Sequence, residues 1–253
     1  MNPARPLIDG VGLGPAYHAF WWRFQGGRRP IATEWNRRHR AIFIHVPKTA
    51  GLSLFAAMGM DRPPDSHAPA IAWRREDPLF FDQAFRFAVA RNPWDRMVSA
   101  FFYLKQGSRF AEDRAWAARM LEDVASFDDF LAALERPWFR NRVMAWRHFL
   151  PQSHYLAING ALAVNRLIDF NELEVGARAV AERLGAPYRP VHKNRSQRGD
   201  YRRYFNDRAV ELVASLYADD IALLGADFEA TRSNAPDHLK PVGAHSRPHP
   251  VEG

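Results

Sequence analysis

The chain of 253 residues contains no cysteine. Disulfides and thiolate-held metal centres are therefore excluded, and the composition suits a reducing compartment. No stretch reaches the roughly 18 consecutive apolar residues that a membrane-spanning helix needs. Pro3, Arg5, Pro6 and Asp9 break up any apolar run near the first residue that a signal peptide would require. No repeat at solenoid periods is visible. The expectation is a cytoplasmic protein without a transmembrane segment. The short aromatic and basic patch Tyr17–Phe24 (YHAFWWRF) is left either to pack on the domain or to touch a membrane peripherally.

What is present fits one large globular unit. Apolar residues make up 47% and charged residues 25%, and 18 Phe with 8 Trp supply a core. The net charge of +7 is uneven. Residues 1–40 carry seven Arg against Asp9 and Glu34, and residues 189–208 carry six Arg and Lys193 against Asp200 and Asp207. Such segments suit a polyanion or a multiply phosphorylated ligand, or form a solvated basic surface. Residues 1–34 are assigned to an irregular basic arm. Residues 35–230 are the folded body, and 231–253, with four Pro and three His, read as a disordered tail.

Within the body, short apolar runs alternate with helical patterns. Ala41–Val46 (AIFIHV), Phe85–Ala90 (FRFAVA) and Leu162–Phe170 (LAVNRLIDF) read as strands. Helices are predicted over Leu52–Met60, Trp94–Gln106, Ser126–Leu134, Glu172–Leu184 and Asp207–Leu224. Pro93 stands at a first helical position, Ser126 with Asp129 forms a capping-box variant, Asn206 is a cap, and Gly185 and Gly225 act as stops. Strands alternating with helices predict an α/β protein with a parallel sheet and helical crossovers.

Two segments carry chemistry. His45–Ser53 (HVPKTAGLS) follows a strand and opens a helix, a geometry that converges backbone N–H groups on an anion. Lys48 adds a charge, Thr49 and Ser53 add hydroxyls, and Gly51 permits close backbone approach. The first glycine and the Gly-Lys-Ser/Thr ending of a Walker A motif are missing. The bland alternative is an ordinary strand-to-helix turn with an exposed lysine. The second segment is Val89–Ala100 (VARNPWDRMVSA). Arg91 ends its strand and Ser99 lies inside the following helix. The bland alternatives are a salt bridge between Arg91 and Asp95, and a small residue at a helix contact for Ser99.

Together these segments resemble the two signatures by which the type-2 sulfotransferase family binds 3′-phosphoadenosine-5′-phosphosulfate (PAPS). Carbohydrate sulfotransferases belong to that family. The resemblance extends through His148–Leu156 (HFLPQSHYL), Leu167–Leu173 (LIDFNEL) and His192–Tyr204, covering about residues 41–228. It implies a P-loop-like three-layer fold with a central parallel sheet flanked by helices. It assigns the 5′-phosphosulfate to Lys48, Thr49, Ala50, Gly51, Leu52 and Ser53, and the 3′-phosphate to Arg91 and Ser99. Leu52 departs from the pattern, which usually has Thr or Ser there; its amide can donate, but a hydroxyl contact is lost. Lys193, Arg195 and Ser196, with Arg198, are candidates for covering the nucleotide, against the alternative of a solvated basic loop.

The implied reaction moves a sulfuryl group in line between two oxygens, so the protein positions groups and neutralises charge. Lys48 suits stabilisation of the leaving phosphate oxygen. A base must take the acceptor's proton. His67 matches the place where heparan-type relatives carry a catalytic histidine; His45 is the rival by proximity, read instead as structural, and His148, His154 and His192 remain candidates for the edge of the acceptor cleft. The expected acceptor is a hydroxyl of a glycan or glycolipid, with no nucleic-acid partner and no metal. Two other functions stay open: a small-molecule kinase, which would want a full Walker A and acidic magnesium ligands, and a non-enzymatic polyanion binder.

Overall fold

The structure, a computed structural model, describes residues 31–63, 66–190 and 199–229. Helix α1 (Glu34–His39) opens on a capping box in which Thr33 and Asn36 satisfy each other's backbone amides. Strand β1 (Ala41–Ile44) follows, then the short helix α2 (Gly51–Ala57), α3 (Ala70–Glu76) and α4 (Pro78–Gln83). Strand β2 (Phe85–Ala90) leads into the longest helix, α5 (Pro93–Lys105). Asn92 caps it by accepting from the amides of Trp94 and Asp95, and Pro93 occupies its first turn as predicted. Next come α6 (Ala111–Met120), α7 (Phe127–Leu134), α8 (Pro137–Met144) and α9 (Gln152–Leu156), a two-residue hairpin of β3 (Ala157–Ile158) and β4 (Ala161–Leu162), and β5 (Arg166–Asp169). Helices α10 (Leu173–Leu184), α11 (Asp207–Leu216) and α12 (Ala218–Leu224) complete the described chain.

The sheet has the order β1-β2-β5, and both pairings are parallel. Alternation along the strands divides its side chains between two cores. Phe43, Phe87, Val89 and Ile168 face Leu54, Phe55, Leu173 and Val180, so α1, α2 and α10 cover one side. Ile42, Ile44, Ala88 and Ala90 face Trp73, Phe81, Tyr155 and Leu224, so α3, α4, α9 and α12 cover the other. A third apolar cluster around Phe101, Phe130 and Phe149 packs α5 to α8 and α11 into a helical lobe beside the sheet. The chain is an α/β protein in which helices flank a parallel sheet. That architecture places the C-terminal ends of β1 and β2 side by side, where such sheets bind ligands.

Several predicted elements differ from the observed ones. The strand expected over Leu162–Phe170 splits into β4 and β5, because the Asn165 amide donates to the Arg86 carbonyl (2.6 Å) and the Asn165 side chain accepts the Arg86 amide (2.8 Å), which starts the ladder only there. The single helix expected over Asp207–Leu224 is divided at Tyr217 (φ −118°, ψ 29°), whose buried phenol donates to the Phe149 carbonyl at 2.8 Å. Gly185 does close α10 in the left-handed region, but β1 ends at Ile44 rather than Val46 and α2 at Ala57 rather than Met60.

Candidate functional site

The loop from β1 to α2 is held in an unusual backbone path. Lys48 and Ala50 are both non-glycine residues at positive φ (72° and 62°), a conformation that costs about 1–2 kcal/mol per residue. The Thr49 side chain, wholly buried, donates its hydroxyl to the Val46 carbonyl at 2.9 Å and closes the turn. The hydroxyl proton expected to face an anion is therefore spent inside the loop. Ala50 caps α2 without any side-chain hydrogen bond, so the amides of Gly51 and Leu52 point out of the helix start with no intrahelical acceptor. The Ser53 N–H is taken up by the Ala50 carbonyl at 3.0 Å, so its hydroxyl, on a half-buried side chain, is the group left to face an anion. The Leu52 side chain is exposed.

Gly51 is needed for a reason other than ligand approach. A Cβ built on it would overlap Cδ2 and Nε2 of the buried His45 ring. That ring is boxed by Phe43, Phe55 and His67. Gly51→Ala is therefore expected to destabilise the protein by about 1–3 kcal/mol through overpacking. Urea denaturation checks it: an unchanged midpoint would mean that the His45 ring can move aside.

Arg91 joins the two loops. Its Nη1 donates to the Lys48 carbonyl at 2.9 Å, its Nε pairs with Asp95 at 2.6 Å, and its guanidinium lies 4.1 Å over the Phe170 ring. The salt bridge weighed as the bland alternative thus exists, and it orients the guanidinium beside the turn. The Arg91 backbone is clamped by the buried Gln152, which accepts its amide (3.0 Å) and donates to its carbonyl (2.7 Å). Gln152 and Ser153 in turn donate backbone amides to the buried Asp220 carboxylate at 2.8 and 2.7 Å. Arg96, fully buried, donates to the carbonyls of His148 and Leu150. It turns into the core, whereas Asp95, Ser99 and Tyr103 recur at four-residue intervals along one face of α5. Ser99 thereby sits between the Arg91–Asp95 pair and Tyr103. The Tyr103 ring lies 3.6 Å beneath the Lys48 ammonium.

His67 reaches the same place from the loop before α3. Its Nδ1 stands 3.1 Å from the His45 carbonyl. A carbonyl only accepts, so Nδ1 carries the proton and Nε2 the lone pair. Burial brings the His67 pKa down to about 4; the His45 hydrogen bond opposes the shift, and the positive surroundings of His148, Arg147 and Arg62 add to it. The ring is neutral at pH 7. His45 is held well below its usual range by burial and by His67, which fits the structural role expected of it.

A further group lay outside every motif. Asp113 on α6 is wholly buried and accepts from Arg147 (2.6 Å), from Ser108 (3.0 Å) and, at 3.0 Å, from His148 Nε2. Against the raising effect of burial, His148 and Arg147 hold its carboxyl far below the ordinary range. His148 is brought down to about 4, burial outweighing the carboxylate beside it. The Tyr103 and His148 rings meet edge to face at 5.1 Å. Nothing in the weak periodicity of Ala111–Met120 marks Asp113, whereas Gln152 stands in the HFLPQSHYL segment already singled out. Lys193, Arg195, Ser196 and Arg198 lie outside the described residues, as does His192. Among the described residues, no helix is long and apolar enough to cross a membrane.

A family model described as the sulfotransferase family matches residues 34–225. No curated protein and no solved structure matches the chain significantly.

Proposed function

The chain belongs to the sulfotransferase family, and from that membership we propose that it transfers the sulfuryl group of PAPS to a carbohydrate hydroxyl, with His67 as base and Lys48 as the charge-stabilising group. One observation carries the reading. The Arg91 guanidinium donates to the Lys48 carbonyl, and the His67 ring is tied to the His45 carbonyl at the head of the same turn, so both side chains are fastened to the loop that carries Lys48, which supports giving the three a shared task.

The residues suit the donor chemically. The outward amides of Gly51 and Leu52, the Ser53 hydroxyl and the Lys48 ammonium make an anion cradle for the 5′-phosphosulfate. Arg91 and Ser99 offer a guanidinium and a hydroxyl to the 3′-phosphate, with Lys193, Arg195 and Ser196 assigned to the outer side of the nucleotide. When bound, PAPS supplies an electrophilic sulfur with a phosphate oxygen as leaving group. His67 Nε2 takes the acceptor hydroxyl's proton as that oxygen bonds to sulfur. Lys48 holds its charge where the oxygen that parts from sulfur becomes anionic. Glycan or glycolipid acceptors, with contact at a membrane surface at most peripheral, complete the proposal.

Thermal denaturation with adenosine 3′,5′-bisphosphate tests the donor site. At a concentration one hundred times its Kd, the nucleotide should stabilise the fold by about 2.7 kcal/mol, roughly 5–10 °C in Tm for a chain of this size. Stabilisation by ATP with magnesium and not by the bisphosphate would favour a kinase instead.

A further inference from the structure

Tyr103 belongs to neither signature's phosphate contacts, yet its ring is the closest aromatic surface to the Lys48 ammonium, with 3.6 Å between Nζ and the ring centre. The phenol is fastened at its far end. Its hydroxyl is 2.5 Å from Ser108 Oγ and 3.2 Å from Asp113 Oδ2, and Ser108 Oγ is itself 3.0 Å from the same carboxylate oxygen. Whichever hydroxyl donates to the other, the pair ends on Asp113. Asp113 is immobilised by Arg147 and His148, and the His148 ring packs against the Tyr103 edge. A fully buried carboxylate is retained only when it is paired and hydrogen-bonded, and here two of its partners, Ser108 and His148, also touch the Tyr103 side chain that faces the lysine. A phenol whose hydrogen-bond chain ends on an anion also has a more electron-rich face, and a cation is drawn to that face.

Lysine is a flexible four-carbon stem carrying a compact charge, and its loss of rotamer freedom on positioning is large. The aromatic face reduces that loss by offering the ammonium one preferred place. We propose that Tyr103, fixed through Ser108 and Asp113, is a positioning residue that aims the Lys48 ammonium at the leaving oxygen. This rests on the role given to Lys48 above.

The test compares Tyr103→Leu with Tyr103→Phe, following kcat, KM for PAPS and for the acceptor, and the Lys48 ε-methylene proton resonances. Tyr103→Leu removes the face and should lower kcat about tenfold, the rate equivalent of a partly desolvated cation–π contact, with KM for the acceptor within about twofold and KM for PAPS raised by less than kcat falls, since Lys48 keeps its charge in the cradle. Tyr103→Phe keeps the ring and should recover most of that loss. In the parent protein the Lys48 ε-methylene protons, next to an ammonium 3.6 Å from the ring centre, should resonate clearly upfield; Tyr103→Leu should return them to the ordinary position and Tyr103→Phe should not. An unchanged kcat in Tyr103→Leu, or equal losses in the two variants, overturns the inference. Should Tyr103→Leu fail to fold, the parent spectrum decides by itself, because ordinary Lys48 shifts overturn the inference too. If Lys48→Ala keeps its turnover, the transfer mechanism is what fails; if Lys48→Ala is inactive while Tyr103→Leu is unimpaired, only the positioning role falls.

Discussion

Lys48→Ala should cost on the order of 10³-fold or more in kcat while the protein stays folded. The magnitude follows from the task. Removal of a single neutral donor from a preorganised anion site costs about 10²–10³-fold, and Lys48 carries a full charge. The fold should survive because the link that joins the two loops is made by the backbone of residue 48: its carbonyl accepts from Arg91, whatever the side chain, and what the side chain adds is the contact with the Tyr103 ring, worth about 0.5–2 kcal/mol. A second substitution separates activity from stability. Lys48 sits at φ 72°, where a non-glycine residue is strained by about 1–2 kcal/mol and glycine is not. Lys48→Gly gains that relief and loses a similar amount to the larger freedom of its unfolded chain. It should therefore be as inactive as Lys48→Ala, and less stable than the parent only by the lost Tyr103 contact, about 0.5–2 kcal/mol. Near-normal turnover by either variant removes Lys48 from the reaction. A large fall in Tm for Lys48→Gly would show that the side chain is structural after all.

Strained backbone at Lys48 and Ala50 also explains what reading the sequence could and could not reach. The strand, turn and helix start around Lys48 were legible because they are local: an apolar β-branched run, a Pro-Lys-Thr-Ala-Gly turn, and a helix opening at Gly51. The strand Phe85–Ala90 was legible to the residue for the same reason, being bounded by Asp82-Gln83 on one side and Asn92-Pro93 on the other. The uses of Gly51 and Thr49 were not legible. Glycine at position 51 makes room for the His45 ring, and the Thr49 hydroxyl closes on Val46; both partners are close in sequence, but the contacts arise only from the left-handed path that the loop takes at Lys48 and Ala50. Asp113 was missed on the same ground. Its partners lie 5, 10, 34 and 35 residues away, and no helical period encodes a contact that only the packing of α6 against α5 and the turn after α8 creates. The direction of Arg96 is likewise set by carbonyls more than 50 residues distant.

His67→Ala should lower kcat by about 10²–10⁴-fold, the ordinary worth of a positioned general base, while leaving the affinity for adenosine 3′,5′-bisphosphate within a few-fold of the parent. The pH dependence of the parent discriminates further. A base works only when deprotonated. With a pKa near 6.5, about a tenth of the histidine would be active at pH 5.5; with the pKa brought down to about 4, nearly all of it is. The limb of kcat/KM for PAPS, which reports the free enzyme, should therefore stay flat from pH 8 to pH 5.5. Stability moves differently over the same range. His67, His148 and His154 are each depressed to about 4 and His45 lies well below its usual value, so the unfolded chain takes up protons before the folded one does. Their contribution is complete above pH 6.5 and is lost as the pH falls toward 4, at about 1.4 kcal/mol per pH unit for each histidine. Rates must therefore be read at temperatures where the fold survives, with the urea midpoint followed in parallel. A kcat/KM that halves near pH 6.5 while the protein remains folded would mean that the proton acceptor is an ordinary exposed histidine or another group. Undiminished turnover by His67→Ala would move the base to a different residue altogether, and His148, with Nε2 held on Asp113 and Nδ1 buried without a hydrogen-bond partner among the described residues, is the one to substitute next.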